Sequence, residues 1–124
     1  MDIVRVSDYL NPDEVLDGYR KGIFPMGYPD SPVITWHLPE RRGILPLQHV
    51  HVSRSLQRTL RQGRFEIRFD TAFAAVMDAC AERGLSDDPD ATWITPRIKE
   101  VYSELHRNGH AHSVEVWRAG QLVG

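Results

Sequence analysis

Cysteine, lysine and long apolar runs are scarce in this chain of 124 residues. The single cysteine, Cys80, cannot form an intramolecular disulfide, which fits a reducing cytoplasm and excludes a zinc ribbon. No apolar run approaches the roughly 20 residues of a membrane-spanning helix. The N-terminus also lacks the apolar segment of a secretory signal. We therefore expect a cytoplasmic globular protein of about one domain, without a membrane partner.

Basic residues are unevenly distributed, although the net charge is only -2. Residues 41–68 contain seven arginines and one acid, whereas the rest of the chain carries eight basic and sixteen acidic residues. Thirteen of the fifteen basic residues are arginines, and the planar guanidinium group pairs bidentately with phosphate. The segment therefore indicates a local anion site, with a solvated helix face as the alternative.

The arginine-rich segment contains a predicted helix that is capped by Ser53 and ends before Gly63. At helical spacing, Arg54, Arg58 and Arg61 fall within about 60° of one another. Two leucines of the same helix lie on the opposite side. Three like charges on one stripe repel each other unless an anion binds there, so the spacing favours a phosphate partner.

Prolines divide the N-terminal part of the chain, with five of the eight falling between residues 25 and 46. Before them, Asn11 and Pro12 begin a helix that should end near Gly22. The proline-broken stretch that follows contains Trp36 and predicts irregular structure without central strands. We expect residues 1–62 to form this proline-rich module and residues 63–124 to form a second one.

The second module contains segments with the two-residue period of a strand and segments with the 3.6-residue period of a helix. Residues 64–69 predict a half-buried strand. A helix capped by Asp70 or Thr71 should follow, end at Gly84 and lead into a polar acidic loop over residues 85–91. A further helix should open at residues 95–96, and residues 111–118 and 122–124 predict an antiparallel hairpin. The two helices have apolar residues at helical spacing, which should be buried: Phe73, Val76, Met77 and Cys80 in the first, and Ile98, Val101, Tyr102 and Leu105 in the second.

The predicted order β-α-α-β-β indicates an α+β fold with the start of an antiparallel meander. The sequence stops inside the predicted hairpin. A sheet that ends there has an exposed edge, so we expect the chain to be the front part of a longer protein.

Two His-x-His pairs, His49 with His51 and His110 with His112, could each offer two imidazoles to a metal. Neither has a third ligand at a suitable local spacing, and the pairs are better explained as surface or hydrogen-bonded histidines. No nucleotide-binding glycine motif and no nucleophile motif is present. We therefore expect no metal and no cofactor.

Several segments of the chain together indicate a family. They are GYRKGIFPM (residues 18–26), PERRGIL (39–45), HVSRSL (51–56), TWIT (92–95) and GHAHSVEVW (109–117). Through these segments the chain resembles the leucyl/phenylalanyl-tRNA–protein transferases over nearly its whole length.

This resemblance implies a bacterial cytoplasmic enzyme of the N-degron pathway, which marks proteins for degradation. Its members move Leu or Phe from aminoacyl-tRNA to acceptor proteins that begin with Arg or Lys. The resemblance implies no cofactor for this reaction and no DNA partner. The family fold, a small N-terminal domain followed by an acetyltransferase-like (GNAT) domain, implies that residues 63–124 are the opening half of the second domain.

The same resemblance implies roles for individual residues. Trp93 and Tyr102 match positions that line the substrate site, as do Met26, where many members carry an aromatic residue, and Trp36. Arg54, Arg58 and Arg61 match a basic cluster that holds tRNA. The residues credited with proton transfer lie beyond residue 124, so no catalytic residue is expected in this chain.

Three readings of the chain remain open at this point. It is an aminoacyltransferase that is complete only with a C-terminal half, or a truncated, non-catalytic module that binds tRNA or a partner. A CoA-dependent acetyltransferase is the third reading, but the pyrophosphate-binding loop of that class is not found before residue 124.

Overall fold

A computed structural model describes residues 2–82 and 92–124 and has the α+β architecture that the sequence predicts. The described residues form two three-stranded sheets and four α-helices. The elements are β1 (Asp2–Ser7), α1 (Pro12–Arg20), β2 (Phe24–Gly27), β3 (Ile34–Leu38), a 3-10 turn (Leu47–His49), α2 (Arg54–Gln62), β4 (Glu66–Phe69), α3 (Phe73–Glu82), α4 (Pro96–Arg107), β5 (Val114–Arg118) and β6 (Gln121–Leu122).

The proline-rich part of the chain is more regular than the sequence analysis predicts. Its strands form an antiparallel sheet in the order β1-β3-β2, so β3 is central and the expectation of irregular structure is wrong. Pro25 lies in β2, an edge strand, where its missing N–H does not interrupt the ladder with a further strand. The predicted first helix is confirmed, with the Asn11 side chain accepting a hydrogen bond from the Glu14 amide at 3.0 Å.

The largest buried cluster lies between the first sheet, α1 and α4. Val15, Ile34 and Trp36 are at most 1% exposed, and Val101 and Leu105 of α4 complete the cluster. Burial of that helix face is confirmed. Residues from both sides of position 62 therefore share one core.

The second sheet has the order β4-β5-β6, and the order β-α-α-β-β is confirmed. Ala119 and Gly120 both have positive φ, at 50° and 76°, in the two-residue turn between β5 and β6. This is the backbone geometry that matches the twist of a tight hairpin.

Three expectations for the second module fail or cannot be compared. Strand β4 is not half-buried, because Ile67 and Phe69 are 51% and 64% exposed and no described element covers that face. Cys80 is exposed, although its spacing places it on the same face of α3 as Phe73 and Val76. The predicted helix end at Gly84 and the acidic loop over residues 85–91 lie outside the described residues.

Candidate nucleic-acid interface

The arginine-rich helix forms as predicted. The Ser53 side chain accepts a hydrogen bond from the Leu56 amide, and Gly63 ends α2 in the left-handed conformation with φ 64°. Every residue of α2 except Thr59 is exposed, so the helix does not enter the buried core. Its basic face is therefore free to meet a ligand.

The arginines of that face, Arg54, Arg58 and Arg61, form no ion pair with any carboxylate among residues 2–82 and 92–124. The one side-chain contact found there joins Arg61 to Gln57 at 3.5 Å, which is long for a hydrogen bond. Elsewhere, Arg68 makes a bidentate contact with Glu66 at 3.0 Å. Uncompensated guanidinium groups on a regular stripe are suited to bind successive phosphates.

Trp93 lies in the short loop at residues 92–95, just before α4. Its carbonyl oxygen accepts a hydrogen bond from the Gly27 amide at 3.1 Å, so the loop is attached to the end of β2. The Trp93 residue is 38% exposed, whereas its neighbour Ile94 is 8% exposed. A partly exposed indole on a fixed backbone can stack on a nucleobase.

Met26 precedes Gly27 in β2 and is half-buried. The hydrogen bond to the Trp93 carbonyl therefore brings the backbones of the two site candidates together. The arginines of α2 do not belong to this packed unit, because that helix lies outside the buried clusters.

Trp36 belongs to the buried cluster between the first sheet, α1 and α4. It is 0% exposed, its indole Nε1 donates to the Ser7 hydroxyl at 2.9 Å, and the Arg5 guanidinium covers its ring at 4.1 Å. Contact of Trp36 with substrate stays a prediction, and in this structure the ring is covered by its neighbours. A buried indole whose N–H has a partner serves packing.

Tyr102 is half-buried and packs against both buried clusters. Its hydroxyl lies 2.8 Å from the Tyr19 hydroxyl, and the two rings meet edge to face. Burial raises the pKa of Tyr102, and the Tyr19 contact adds to the shift. The Tyr102 phenol is therefore neutral, and it forms a hydrogen bond with the exposed Tyr19.

Glu115 is the polar residue of the second sheet that sequence reasoning missed. It is 0% exposed, and its carboxylate accepts hydrogen bonds from the Thr71 and Ala72 amides at 3.1 Å, just before α3. The Thr71 and Ser113 hydroxyls and the Trp117 indole also donate to it. Burial raises the pKa of Glu115, but these bonds outweigh it and lower the pKa to about 2. The segment GHAHSVEVW thus anchors α3, a role that the alternation of Ser113, Glu115 and Trp117 on one strand face could have suggested.

His112 of this segment and His106 of α4 are also engaged. Asp70 accepts hydrogen bonds from His112 Nδ1 at 2.8 Å and from the Ser113 amide at 3.0 Å. His106 Nδ1 contacts the Ala111 carbonyl at 2.8 Å, and its ring stacks on Phe73 at 4.2 Å. Among residues 2–82 and 92–124, no three histidine, cysteine or acidic side chains lie together in a way that could hold a metal ion.

These contacts shift two pKa values in opposite directions. The hydrogen bond and charge of Asp70 raise the pKa of His112. The same hydrogen bond, with that from the Ser113 amide, lowers the pKa of Asp70. The pair therefore favours a charged imidazolium beside a charged carboxylate.

Two segments of the chain match family models of known proteins. Residues 44–124 match the family model described as leucyl/phenylalanyl-tRNA protein transferase, and residues 8–40 match the model of its N-terminal domain. Within residues 2–82 and 92–124, no helix is long and apolar enough to cross a membrane.

Curated relatives carry the same family name. The leucyl/phenylalanyl-tRNA–protein transferase of Salinibacter ruber is 46% identical over 119 residues, covering 96% of this chain and 50% of the relative. Those of Aromatoleum aromaticum and Herpetosiphon aurantiacus are 51% and 50% identical, covering 93% of this chain in each case and 47% and 56% of the relatives. The chain spans about half the length of the curated relatives that it matches. With family models matched over most of its residues, the chain belongs to the leucyl/phenylalanyl-tRNA–protein transferase family.

Proposed function

We propose that this chain supplies the surface that binds the aminoacylated end of tRNA in an aminoacyltransferase. The enzyme would move Leu or Phe from aminoacyl-tRNA to proteins that begin with Arg or Lys, in the cytoplasm. The observation that carries the proposal is the exposed stripe of Arg54, Arg58 and Arg61, which lacks ion pairs in the described part of the chain. Family membership and the names of the relatives support the substrate class.

The reaction itself needs no cofactor. The acceptor amine attacks the ester carbonyl carbon, a C–N bond forms, and the bond from that carbon to the ribose oxygen breaks. The amine loses a proton and the ribose oxygen gains one. An aminoacyl ester is already activated, so holding the two reactants together supplies much of the acceleration.

The described residues provide the holding part of this reaction. The α2 arginines would bind acceptor-stem phosphates, and Trp93 would stack on the terminal adenine. Met26 would add a soft thioether contact next to the 92–95 loop. The groups that move protons are proposed to lie in the half of the family's length that this chain does not match.

The fold is compatible with a finer proposal. The order β4-α3-α4-β5-β6 would be the opening of an acetyltransferase-like domain, with the division between the two domains proposed near residues 62 and 63. The shared core of α4 and the first sheet would then be the contact between the two domains.

A non-catalytic module that binds tRNA is the second candidate function, because the exposed arginine stripe of α2 accounts for binding without any catalytic group. A transfer assay separates the two. Leucyl-tRNA and a peptide that begins with Arg are supplied to the chain, and the full-length Salinibacter ruber relative serves as the positive control. Binding without transfer supports the holding role, whereas transfer by the 124-residue chain alone would exclude the non-catalytic candidate.

The arginine stripe is tested by affinity. We expect Arg54, Arg58 and Arg61 all changed to Gln to weaken tRNA binding by at least about tenfold. A matched variant changes Arg20, Arg107 and Arg118 to Gln, which removes the same charge from other exposed sites. Equal losses in the two variants would remove α2 from the proposal.

A further inference from the structure

Arg97, in the first turn of α4, connects that helix to the N-terminal sheet. Its guanidinium donates from Nη1 to the Pro32 carbonyl at 2.8 Å and from Nη2 to the Asp8 carbonyl at 3.0 Å. The Asp8 carbonyl follows β1 and the Pro32 carbonyl precedes β3. A planar fork can hold two carbonyls at once, which the compact ammonium group of a lysine cannot reproduce.

The 92–95 loop is held at two points near the Arg97 contact. At one side, the Trp93 carbonyl accepts the Gly27 amide of β2. At the other, the Thr95 hydroxyl caps α4, the helix that carries Arg97. A Cβ atom at Gly27 would lie only 2.6 Å from Thr95 Oγ1, so β2 and the loop are already at their closest approach.

We propose that Arg97 is a positioning residue that sets the place of Trp93 relative to β2. It holds the start of α4 against the carbonyls of Asp8 and Pro32, and the helix start in turn holds the loop. Nη1 and Nη2 each donate one hydrogen bond to a carbonyl of the protein itself, so the proposal has Arg97 act through the loop and not by contact with RNA. The proposal rests on the proposed function, in which Trp93 stacks on the terminal adenine.

The test compares two RNA hairpins that differ only in the unpaired terminal adenosine. We expect Arg97→Gln to lower the affinity for the hairpin ending in CCA by about five- to tenfold, a part of what one base–aromatic stack provides. Binding of the hairpin ending in CC, and the salt dependence of both affinities, should not change. Arg97→Lys should recover less than half of the loss because it keeps the charge but not the fork.

Arg107→Gln, at the far end of the same helix, is the matched control and should bind both hairpins like the unchanged chain. Equal loss on both hairpins, or a shallower salt dependence, would show that Arg97 binds phosphate and would overturn the proposal. A lower urea midpoint with unchanged RNA affinity would also overturn it, because Arg97 would then be structural only. If Arg97→Gln does not fold, the affinities for the two hairpins are compared between Arg97→Lys and the unchanged chain.

Trp93→Ala separates this inference from the proposed function. If the unchanged chain and Trp93→Ala distinguish the two hairpins equally well, stacking by Trp93 is wrong. If Trp93→Ala loses the distinction and Arg97→Gln keeps it, only the positioning role fails.

Discussion

The first sheet and the region around α2 and β4 use apolar residues in opposite ways. In the first sheet, Ile34 and Trp36 are at most 1% exposed and pack against two helices. In the second region, Leu60 is 64% exposed and residues 41–52 are exposed throughout. The first region therefore holds the fold, while the second offers surface. Substitutions should separate the two by their effect on stability and on binding.

The strongest contrast should come from Trp36→Ala and Leu60→Ala. Removing the buried indole leaves a cavity and the Ser7 hydroxyl without its donor, which should lower the free energy of unfolding by about 3–5 kcal/mol. Leu60→Ala should change it by less than about 0.5 kcal/mol. Urea unfolding followed by circular dichroism measures both. Similar losses would contradict the division into two regions.

Gly27→Val should have the next largest effect. The branched side chain meets Thr95 and the Trp93 carbonyl, and overpacking of this kind costs about 1–3 kcal/mol. Gly43→Val is a suitable control, because a Cβ atom at Gly43 has no heavy atom within 4 Å. Unfolding midpoints of the two variants should differ clearly, and equal midpoints would mean that the loop yields easily.

Glu115 should control the response to acid. Its folded pKa is lowered from 4.5 to about 2, so its contribution is present above about pH 4.5 and is lost as the pH falls towards 2. Glu115→Gln should lower the thermal midpoint at pH 7 and flatten this acid dependence. Melting curves between pH 2 and pH 7 check it, and an unchanged acid dependence would exclude Glu115 as its source.

His112 should act at the other end of the pH range, with a smaller effect. Its folded pKa is raised above 6.5, so the pairing with Asp70 contributes fully below pH 6.5 and is lost as the pH rises through the folded value. His112→Asn should remove this loss. Proton-detected titration of the imidazole should give a midpoint above 6.5, and a midpoint at or below 6.5 would refute the pairing.

Local signals in the sequence predicted the helices well. The Asn11 and Ser53 caps, and the apolar stripe of Ile98, Val101 and Leu105, depend only on neighbouring residues, so they could be read directly. Strands β1 and β3 were missed because their pairing is long-range, and because prolines flank β3. The prediction that β4 is half-buried was wrong for a related reason. An alternating pattern does not show whether another element covers the apolar face of the strand.

Some features of the candidate site could likewise be predicted from local sequence, and others could not. The arginine stripe followed from helical periodicity alone, and the structure confirms its helix and exposure. The burial of Trp36 and the carboxylate of Glu115 at the start of α3 depend on tertiary contacts. No spacing rule along the chain gives the contact of Arg97 with two distant carbonyls.

Salt dependence of tRNA binding tests the central claim most directly, namely that the α2 arginines neutralise RNA phosphates. The logarithm of affinity should fall linearly with the logarithm of salt concentration, and changing Arg54, Arg58 and Arg61 to Gln should reduce that slope by about 2 to 3. The variant of Arg20, Arg107 and Arg118 should keep the slope of the unchanged chain. A slope that stays the same in the α2 variant would contradict the account.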